Sequence, residues 1–485
     1  MSVGKRAARG AIWSVGVSTG TRMLGLIGTL FMTRFLNPDE VGEVYTALAI
    51  GQTANWLSNW GFNQYMVVHG RDSAERTYHV AVMNYVLGLV ALGVAAGTGI
   101  VFAPVFHAPH LAAYMPGLTL SILIRRAGAV PDKVLTRELR FRELSIADGA
   151  GSVAYTITAI GLAAADFGGQ SMVIGNIVQA TLTSALIFRA TGLGWLQRAP
   201  WRWSRVREIV RFGVPVGLAQ VFDFASRYWD NLLFAKFFGQ EQVGLYNMAY
   251  NLADIPAVQV GEQIGNVLLP AMTSLEIKDR KSALLRATAL MSLVVFPLAV
   301  GLGSVADTLI AALFNVHWRG VAPLLVVLSM LSVVRPMAWG VSAYLQAFSR
   351  VRTLMLLQLL KLVLLFGCMA AFSSLGPRWT AGAVGVAFGV QSLVAIGLVI
   401  ITDRVPAAPI VGAVVRPLVA CAAMAAAVYG ARHGLLAAGV HWPIVRLPIE
   451  ILAGAAVYVL VALVVARAAA RDLLQMARRA LKRGD

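Results

Sequence analysis

Several charged side chains lie within long apolar segments of this sequence, where the energetic cost of each charge has to be explained. Apart from Arg34 and Lys236, which lie near helix ends, the basic residues among them are Arg22, Arg227, Arg335 and Lys361, and the candidate acids are Asp223, Asp230 and Asp254. An Arg or Lys at the centre of a bilayer costs about 2.5 to 3.5 kcal/mol, so such residues usually face a cavity or a partner. The four cations therefore predict a cationic pocket, since guanidinium groups bind phosphate oxygens through paired hydrogen bonds.

Three of these residues follow one another at helical spacing. Asp223, Arg227 and Asp230 are four and three residues apart, which places them on one helix face. One interpretation is an ion cluster that only neutralises itself. The other is a cavity in which Arg227 binds a ligand together with Arg22. Asp254 either restrains Arg227 in the empty state or binds a coupling cation, so the three aspartates are candidates for gating or for coupling to Na⁺ or H⁺.

The composition is typical of a polytopic, all-α membrane protein. Of the 485 residues, 58% are hydrophobic and 13% are charged, whereas a soluble protein carries about a quarter of charged residues. The charge-free stretches 80–105, 287–306 and 379–402 are each long enough to cross a hydrocarbon core of about 30 Å as a helix. A β-barrel would show short alternating segments instead.

The apolar segments predict about fourteen transmembrane helices. They are 11–36, 41–68, 79–105, 111–131, 145–166, 170–190, 209–238, 242–271, 285–314, 320–348, 353–374, 379–402, 409–430 and 447–467. With this arrangement 31 of the 41 Lys and Arg residues lie on the side of both termini, Arg126 among them, and four lie opposite, Arg432 among them. The positive-inside rule then predicts that both termini are cytoplasmic.

A short motif occurs twice. LNPDEVGEVY at 36–45 returns as FGQEQVGLY at 238–246, and the shared Val-Gly pair has an offset of 202 residues. Internal repeats of this size build many secondary transporters, with the substrate site between the halves. We expect Pro38 and Gly239 to break a helix, and Gly42 and Gly244 to let the next helix pack closely.

The repeat predicts two pseudo-symmetric six-helix lobes followed by two further helices. The expected boundaries are an N-lobe at 1–190, a linker at 191–208, a C-lobe at 209–405, the last helix pair at 406–470 and a basic tail at 471–485. The linker interleaves tryptophans with arginines, which predicts a cytoplasmic amphipathic helix facing anionic lipid headgroups.

Motifs for enzymatic chemistry are not found. The sequence has no phosphate-binding G-x-x-x-x-G-K-[ST] loop and no Asp-x-Asp pair. The histidines are scattered, and we expect them in loops or at the membrane interface: His69, His79, His107, His110, His317, His433 and His441. The two cysteines lie in apolar runs and indicate no disulfide. We therefore expect no enzyme, no metal and no cofactor. The net charge of +18 follows the membrane topology and does not indicate nucleic acid.

Several motifs together resemble a known family. Besides the repeated Val-Gly motif they are RELRFRELS at 137–145, LFNVHWRGVAPLL at 313–325 and TRMLG at 21–25. In the second, Asn315 stands where the family usually has Gly. The chain is thereby similar to the Wzx-type flippases for lipid-linked oligosaccharides, which belong to the multidrug/oligosaccharidyl-lipid/polysaccharide (MOP) exporter superfamily. The resemblance covers the whole chain.

The resemblance implies a flippase of the bacterial inner membrane. It would carry undecaprenyl-pyrophosphate-linked oligosaccharide to the outer leaflet by alternating access, among membrane lipids and beside polysaccharide polymerase machinery. Arg22, Arg227, Arg335 and Lys361 would then bind the pyrophosphate. The alternatives are a peptidoglycan-precursor (lipid II) flippase, a drug/cation antiporter of the same superfamily, and, in another class, a membrane glycan polymerase or ligase.

Overall fold

The structure, a computed structural model, contains helices and no strands in the part of the chain that it describes. That part comprises residues 20–21, 24–25, 27–62, 65, 74–138, 140–192, 194–256, 277–348, 350–467 and 469–472. The chain divides into two compact units, Met1–Gly244 and Leu245–Asp485. The prediction of an all-α membrane protein is confirmed.

The first unit contains helices α1 to α8 and the first turn of α9. Their bounds are α1 Pro38–Leu57, α2 Ala74–Gly97, α3 Gly99–Phe102, α4 Leu111–Ala127, α5 Ala129–Arg137, α6 Phe141–Ala163, α7 Gln170–Thr191, α8 Trp203–Phe238 and α9 Gln240–Pro256. Part of its core lies where α2, α5 and α8 meet, around Val80, Val130 and Ile209, each of which is fully buried.

The second unit contains the rest of α9 and seven further helices. Their bounds are α10 Ile277–Leu313, α11 Val321–Leu331, α12 Arg335–Ala347, α13 Val351–Phe372, α14 Pro377–Asp403, α15 Ala407–Ala437 and α16 Pro443–Val465. One core cluster joins α10, α15 and α16. There Tyr458 donates its hydroxyl hydrogen to the Leu293 carbonyl at 2.6 Å.

Within the described residues, eight helices are long and apolar enough to cross a membrane: α2, α6, α7, α10, α13, α14, α15 and α16. Other predicted spans are interrupted. The predicted helix 320–348 divides into α11, a 3₁₀ turn at Ser332–Val334, and α12. The reason is Pro336, which has no N–H to donate to the carbonyl of Ser332 four residues earlier. The number of fourteen spans stays a prediction.

The start of α1 shows how the repeated motif sets a helix boundary. Asn37 is extended, Pro38 occupies the first helical position, and the Glu40 carboxylate accepts the Asn37 backbone N–H at 2.9 Å. Proline suits that position because the first N–H groups of a helix have no intrahelical acceptor. At the other copy Gly239 ends α8 with a φ of +79°, which a residue with a side chain rarely adopts. Both expected helix breaks are confirmed.

The linker differs from its prediction. Residues 194–202 are not helical, and α8 runs without interruption from Trp203 to Phe238. The expected amphipathic helix is therefore wrong for this segment, and the expected start of the C-lobe at 209 falls inside α8. Pro200 lacks a backbone N–H, and it disfavours helical geometry at the residue before it. The compact-unit boundary lies after Gly244, so α8 belongs with the first unit, while the lobe boundaries stay predictions.

Candidate functional site

The two copies of the repeated motif lie against each other in the first unit. A Cβ atom on Gly42 would fall 1.9 Å from the carbonyl oxygen of Gln240, and one on Gly244 would fall 1.9 Å from the carbonyl oxygen of Pro38. Such distances leave no room for a methyl group. The expected close packing at both glycines is confirmed, and the element that each approaches is the other copy.

Polar contacts stabilise this crossing of α1 with the start of α9. The Thr46 hydroxyl donates to Gln240 Oε1 at 2.8 Å, and the Gln240 amide donates to the Phe106 carbonyl. Buried Glu43 accepts the His110 backbone N–H at 2.8 Å and lies 3.2 Å from its ring Nδ1. The crossing therefore joins α1 both to the start of α9 and to the segment that precedes α4.

Further along α1, aromatic contacts set the position of α8. The Trp229 indole donates to the Thr53 hydroxyl at 3.0 Å. The rings of Trp56 and Phe224 lie 6.0 Å apart, and Phe224 stacks on Tyr228 at 4.7 Å. These contacts flank the α8 segment that carries the predicted charges, so α1 orients the segment.

Two of the predicted charges on α8 differ in their surroundings. Arg227 is exposed in the isolated chain. Asp230 is only 1% exposed, and its Oδ1 accepts hydrogen bonds from the backbone N–H and the side-chain amide of Asn231, at 2.9 and 3.1 Å. The structure thus brings both residues to one stretch of α8, with the cation outward and the acid inward. The side chain of Asp223 lies outside the described residues.

The other predicted site residues are distributed over the chain. Arg22 lies outside the described residues, and so does the side chain of Arg335 at the start of α12. Asp254 is half-buried on α9. Lys361 is 4% exposed at the middle of α13, with its ammonium 4.9 Å from the ring centre of Phe388. Pairing of Arg22 with Arg227 therefore stays a prediction.

Sequence reasoning missed the role of Arg126. The sequence places it among the basic residues on the cytoplasmic side, but its side chain is buried at the end of α4. Its guanidinium donates to the Asn84 carbonyl at 2.8 Å, to the Ser58 hydroxyl and carbonyl at 2.6 and 3.0 Å, and to Asn55. A Cβ on Gly88 would lie 2.2 Å from Arg126 Nε. Arg126 thus ties α4 to α1 and α2.

A second missed group is an ion pair in the second unit. Glu450 on α16 is fully buried, and its carboxylate accepts from Arg432 on α15 at 3.2 Å and from the Thr308 hydroxyl on α10 at 3.0 Å. Arg432 also donates to the Ser304 carbonyl at 2.6 Å and lies 3.3 Å from Asp307. The sequence predicts Arg432 beyond the end of the helix at 409–430, but α15 continues to Ala437, and the pair fastens the last two helices to α10.

Ionic contacts also fix the linker to the first unit. Glu75 lies 3.6 Å from Arg202 and 3.5 Å from Arg205. Glu208 accepts from Arg205 at 2.8 Å and from the Tyr65 hydroxyl at 2.7 Å. The Tyr65 hydrogen bond is the main reason why the pKa of the Glu208 carboxyl is lowered. The start of α8 is therefore held by charge-assisted hydrogen bonds to α2 and Tyr65.

His79 belongs to the same contact and departs from its prediction. It is fully buried on α2, not in a loop. Its Nε2 accepts the Arg202 backbone N–H at 2.9 Å, so the ring proton is on Nδ1, which lies 2.8 Å from the Glu75 carbonyl. The Trp201 ring stacks on His79 at 4.8 Å. The linker is thus anchored to α2 by an interaction specific to a neutral imidazole.

Similarity to known proteins extends over nearly the whole chain. The family of polysaccharide biosynthesis proteins matches residues 31–323. The chain is 24% identical to the succinoglycan biosynthesis transport protein ExoT of Rhizobium meliloti (strain 1021), over 98% of this chain and 96% of that protein. It is 22% identical to the lipopolysaccharide biosynthesis protein WzxC of Escherichia coli (strain K12), over 80% of this chain and 78% of that protein.

A solved structure has the same fold. The lipid II flippase MurJ, in an inward closed conformation, matches with a TM-score of 0.77 and 14% identity, over 96% of this chain and 100% of that chain. The helix order described above is therefore one that a membrane flippase adopts.

Proposed function

This chain belongs to the polysaccharide biosynthesis protein family, and on that premise we propose that it is a flippase for lipid-linked oligosaccharide. Its substrate is an undecaprenyl-pyrophosphate-linked repeat unit, moved from the cytoplasmic to the outer leaflet of the bacterial inner membrane. The observation that carries the proposal is the match to a succinoglycan transport protein along 98% of the chain.

The intramembrane cations supply the chemistry of the crossing. The pyrophosphate must pass a hydrocarbon interior in which an uncompensated charge is costly. Arg227, exposed on α8, binds phosphate oxygens together with Arg22 from the predicted helix 11–36. Arg335 and Lys361 from the C-lobe complete the cationic path. Arginine suits this role because its planar fork forms paired hydrogen bonds with phosphate.

Alternating access of two six-helix lobes moves the substrate, and the final two of fourteen helices complete the fold. Both termini are cytoplasmic.

Asp223, Asp230 and Asp254 couple the cycle to a Na⁺ or H⁺ gradient. Burial of Asp230 beside Asn231 supports such a role, because buried charges in proteins are paired or coordinate a cation. Polysaccharide polymerase machinery takes up the delivered unit.

A lipid II flippase is the second candidate, and the fold match to MurJ favours it. The full-length match to a polysaccharide transport protein favours the leading proposal over it. A drug/cation antiporter would require an acidic pocket instead of the cationic one that we propose. A glycan polymerase or ligase generally needs a large outer domain, whereas the loops predicted on that side are short.

The proposal is tested in proteoliposomes that contain the purified full-length protein. Fluorescent undecaprenyl-pyrophosphate oligosaccharide is placed in the inner leaflet, and its arrival outside is measured with a membrane-impermeant glycosidase. We expect faster transfer than in protein-free liposomes, and slower transfer of lipid II under the same conditions. Faster transfer of lipid II would favour the second candidate, and transfer of neither lipid would contradict a flippase.

A further inference from the structure

A cavity in the second unit lies apart from the charged residues assigned above. It measures about 520 Å³ and is lined by α10, α15 and the residues that follow α16. Most of its lining is apolar: Leu285, Ala289, Leu290, Ala408, Pro409, Gly412, Ala413, Pro417, Ala466 and Ala469. Helices α10 and α15 are each long and apolar enough to cross a membrane, so the cavity lies beside predicted membrane-spanning helices.

Two arginines enter this apolar cavity. Arg286 lies nine residues after the start of α10, and Arg416 lies nine residues after the start of α15. At 1.5 Å per residue both are about 13.5 Å along their helices, and both line the same cavity. Both are exposed. A Cβ on Gly412 would lie 3.9 Å from the Arg416 guanidinium, so Gly412 leaves space beside this cation.

The charges of the two arginines are not cancelled inside the cavity. Asp472 also lines it, but in the described part of the chain neither arginine has an ion pair, with Asp472 or with any other acid. Two cations and one acid leave an excess of one positive charge. A single anionic group that bridges both guanidinium groups would therefore be favoured electrostatically.

We infer that this cavity is a binding site for an anionic phospholipid. The headgroup phosphate bridges Arg286 and Arg416, and an acyl chain lies along the small apolar side chains of α15. Basic pockets between membrane helices bind anionic lipid headgroups in this manner. A free phosphate would leave the apolar lining without a partner, whereas a diacyl lipid satisfies both parts of the cavity. The inference does not depend on which molecule the protein transports.

The site is tested by native mass spectrometry of the delipidated full-length protein in neutral detergent, titrated with phosphatidylglycerol or phosphatidylcholine. We expect one phosphatidylglycerol to bind more tightly than phosphatidylcholine. Each basic residue near a charged lipid is worth about a fivefold change in affinity. Arg286→Gln with Arg416→Gln should therefore weaken phosphatidylglycerol binding about 25-fold and leave phosphatidylcholine unchanged. Arg352→Gln, at an exposed arginine outside the cavity, is the matched control.

Two further variants separate the site from general surface charge. Gly412→Leu keeps both arginines but fills the cavity, so it should reduce binding of the lipid. Asp472→Asn removes the competing acid, so it should tighten phosphatidylglycerol binding. Wild-type affinity in the double arginine variant, or in Gly412→Leu, would overturn the inference. Displacement of bound phosphatidylglycerol by one equivalent of a prenyl pyrophosphate would also overturn it, because the cavity would then belong to the transported lipid.

Discussion

Gly42 and Gly244, 202 residues apart in the sequence, lie at one contact in which each faces the backbone of the other's helix. A Cβ on either glycine would be 1.9 Å from a carbonyl oxygen, of Gln240 in one case and of Pro38 in the other. The contact is reciprocal because each copy of the repeated motif supplies both a glycine and the carbonyl that the other glycine approaches. Helices α1 and α9 therefore meet backbone to backbone at their first turns.

A methyl group at this contact should separate the two helices. We expect Gly42→Ala and Gly244→Ala each to lower the free energy of unfolding by about 1–3 kcal/mol, the usual cost of overpacking. The effects should be less than additive in the double variant, because one backbone shift relieves both clashes. Thermal unfolding in detergent measures the change. Gly93→Ala is the control, since a Cβ there meets no atom within 4 Å. Equal stability of all three variants would contradict the contact.

The pair Arg432–Glu450 predicts a large cost for losing one partner. Arg432→Gln leaves the fully buried Glu450 without its cation, and breaking a buried pair typically costs about 3–5 kcal/mol. Replacing both residues by Met should restore most of the stability. Asp307→Asn is the control, because Asp307 is 64% exposed and such surface contacts contribute little. Urea or thermal unfolding checks this, and equal loss in the single and double variants would refute it.

Arg227 provides the test of the transport site. We expect Arg227→Ala to reduce glycan export at least about tenfold at unchanged membrane level, since one charge-assisted phosphate contact is worth about 1.5–3 kcal/mol. Arg227→Lys should retain partial activity because it keeps the charge but loses the fork. Lys236→Ala, an exposed cation on the same helix, should export normally. If neutralising Asp223 and Asp230 restores export to Arg227→Ala, the residues form a self-neutralising ion cluster instead.

The lowered pKa of the Glu208 carboxyl predicts that the stability of the start of α8 depends on pH. Because the pKa of its carboxyl is lowered in the folded protein, chiefly by the Tyr65 hydroxyl, its stabilisation is complete above the ordinary value of 4.5. It is lost as the pH falls through the lowered pKa. Hydrogen exchange of residues 201–208, corrected for intrinsic rates, should therefore quicken at acid pH. Glu208→Gln should exchange faster at neutral pH and lose the dependence. A variant that retains the wild-type pH profile would exclude this carboxyl.

Membrane orientation is tested by labelling single cysteines in intact cells. Because basic residues favour the cytoplasmic side, cysteines in 166–170 should react with an impermeant reagent from outside. Cysteines in 194–202 should react only after the membrane is opened. The opposite pattern would invert the proposed topology.

Much of the fold was predictable because its causes are local. Hydropathy along the chain identified membrane helices such as α13 and α14 to within a few residues, since a helix of apolar residues satisfies its own backbone in lipid. Proline and glycine in the repeated motif also located two helix boundaries. Their effects on the backbone are local, because proline lacks an N–H and glycine adopts positive φ angles. The 3₁₀ turn before Arg335 was missed, although Pro336 signalled it, because its segment is otherwise continuously apolar.

The sequence by itself determined the helical membrane fold, the internal repeat and the family, all of which depend on composition, spacing and order. Only the tertiary structure decided which charges are buried and with whom. The sequence does not mark Arg126 or Glu450 as buried, but distant segments enclose them and supply their hydrogen bonds. The contact of Gly42 with Gly244 likewise joins residues that lie far apart in the sequence. Partners separated by many residues leave no local pattern, because burial and pairing arise only when the helices pack.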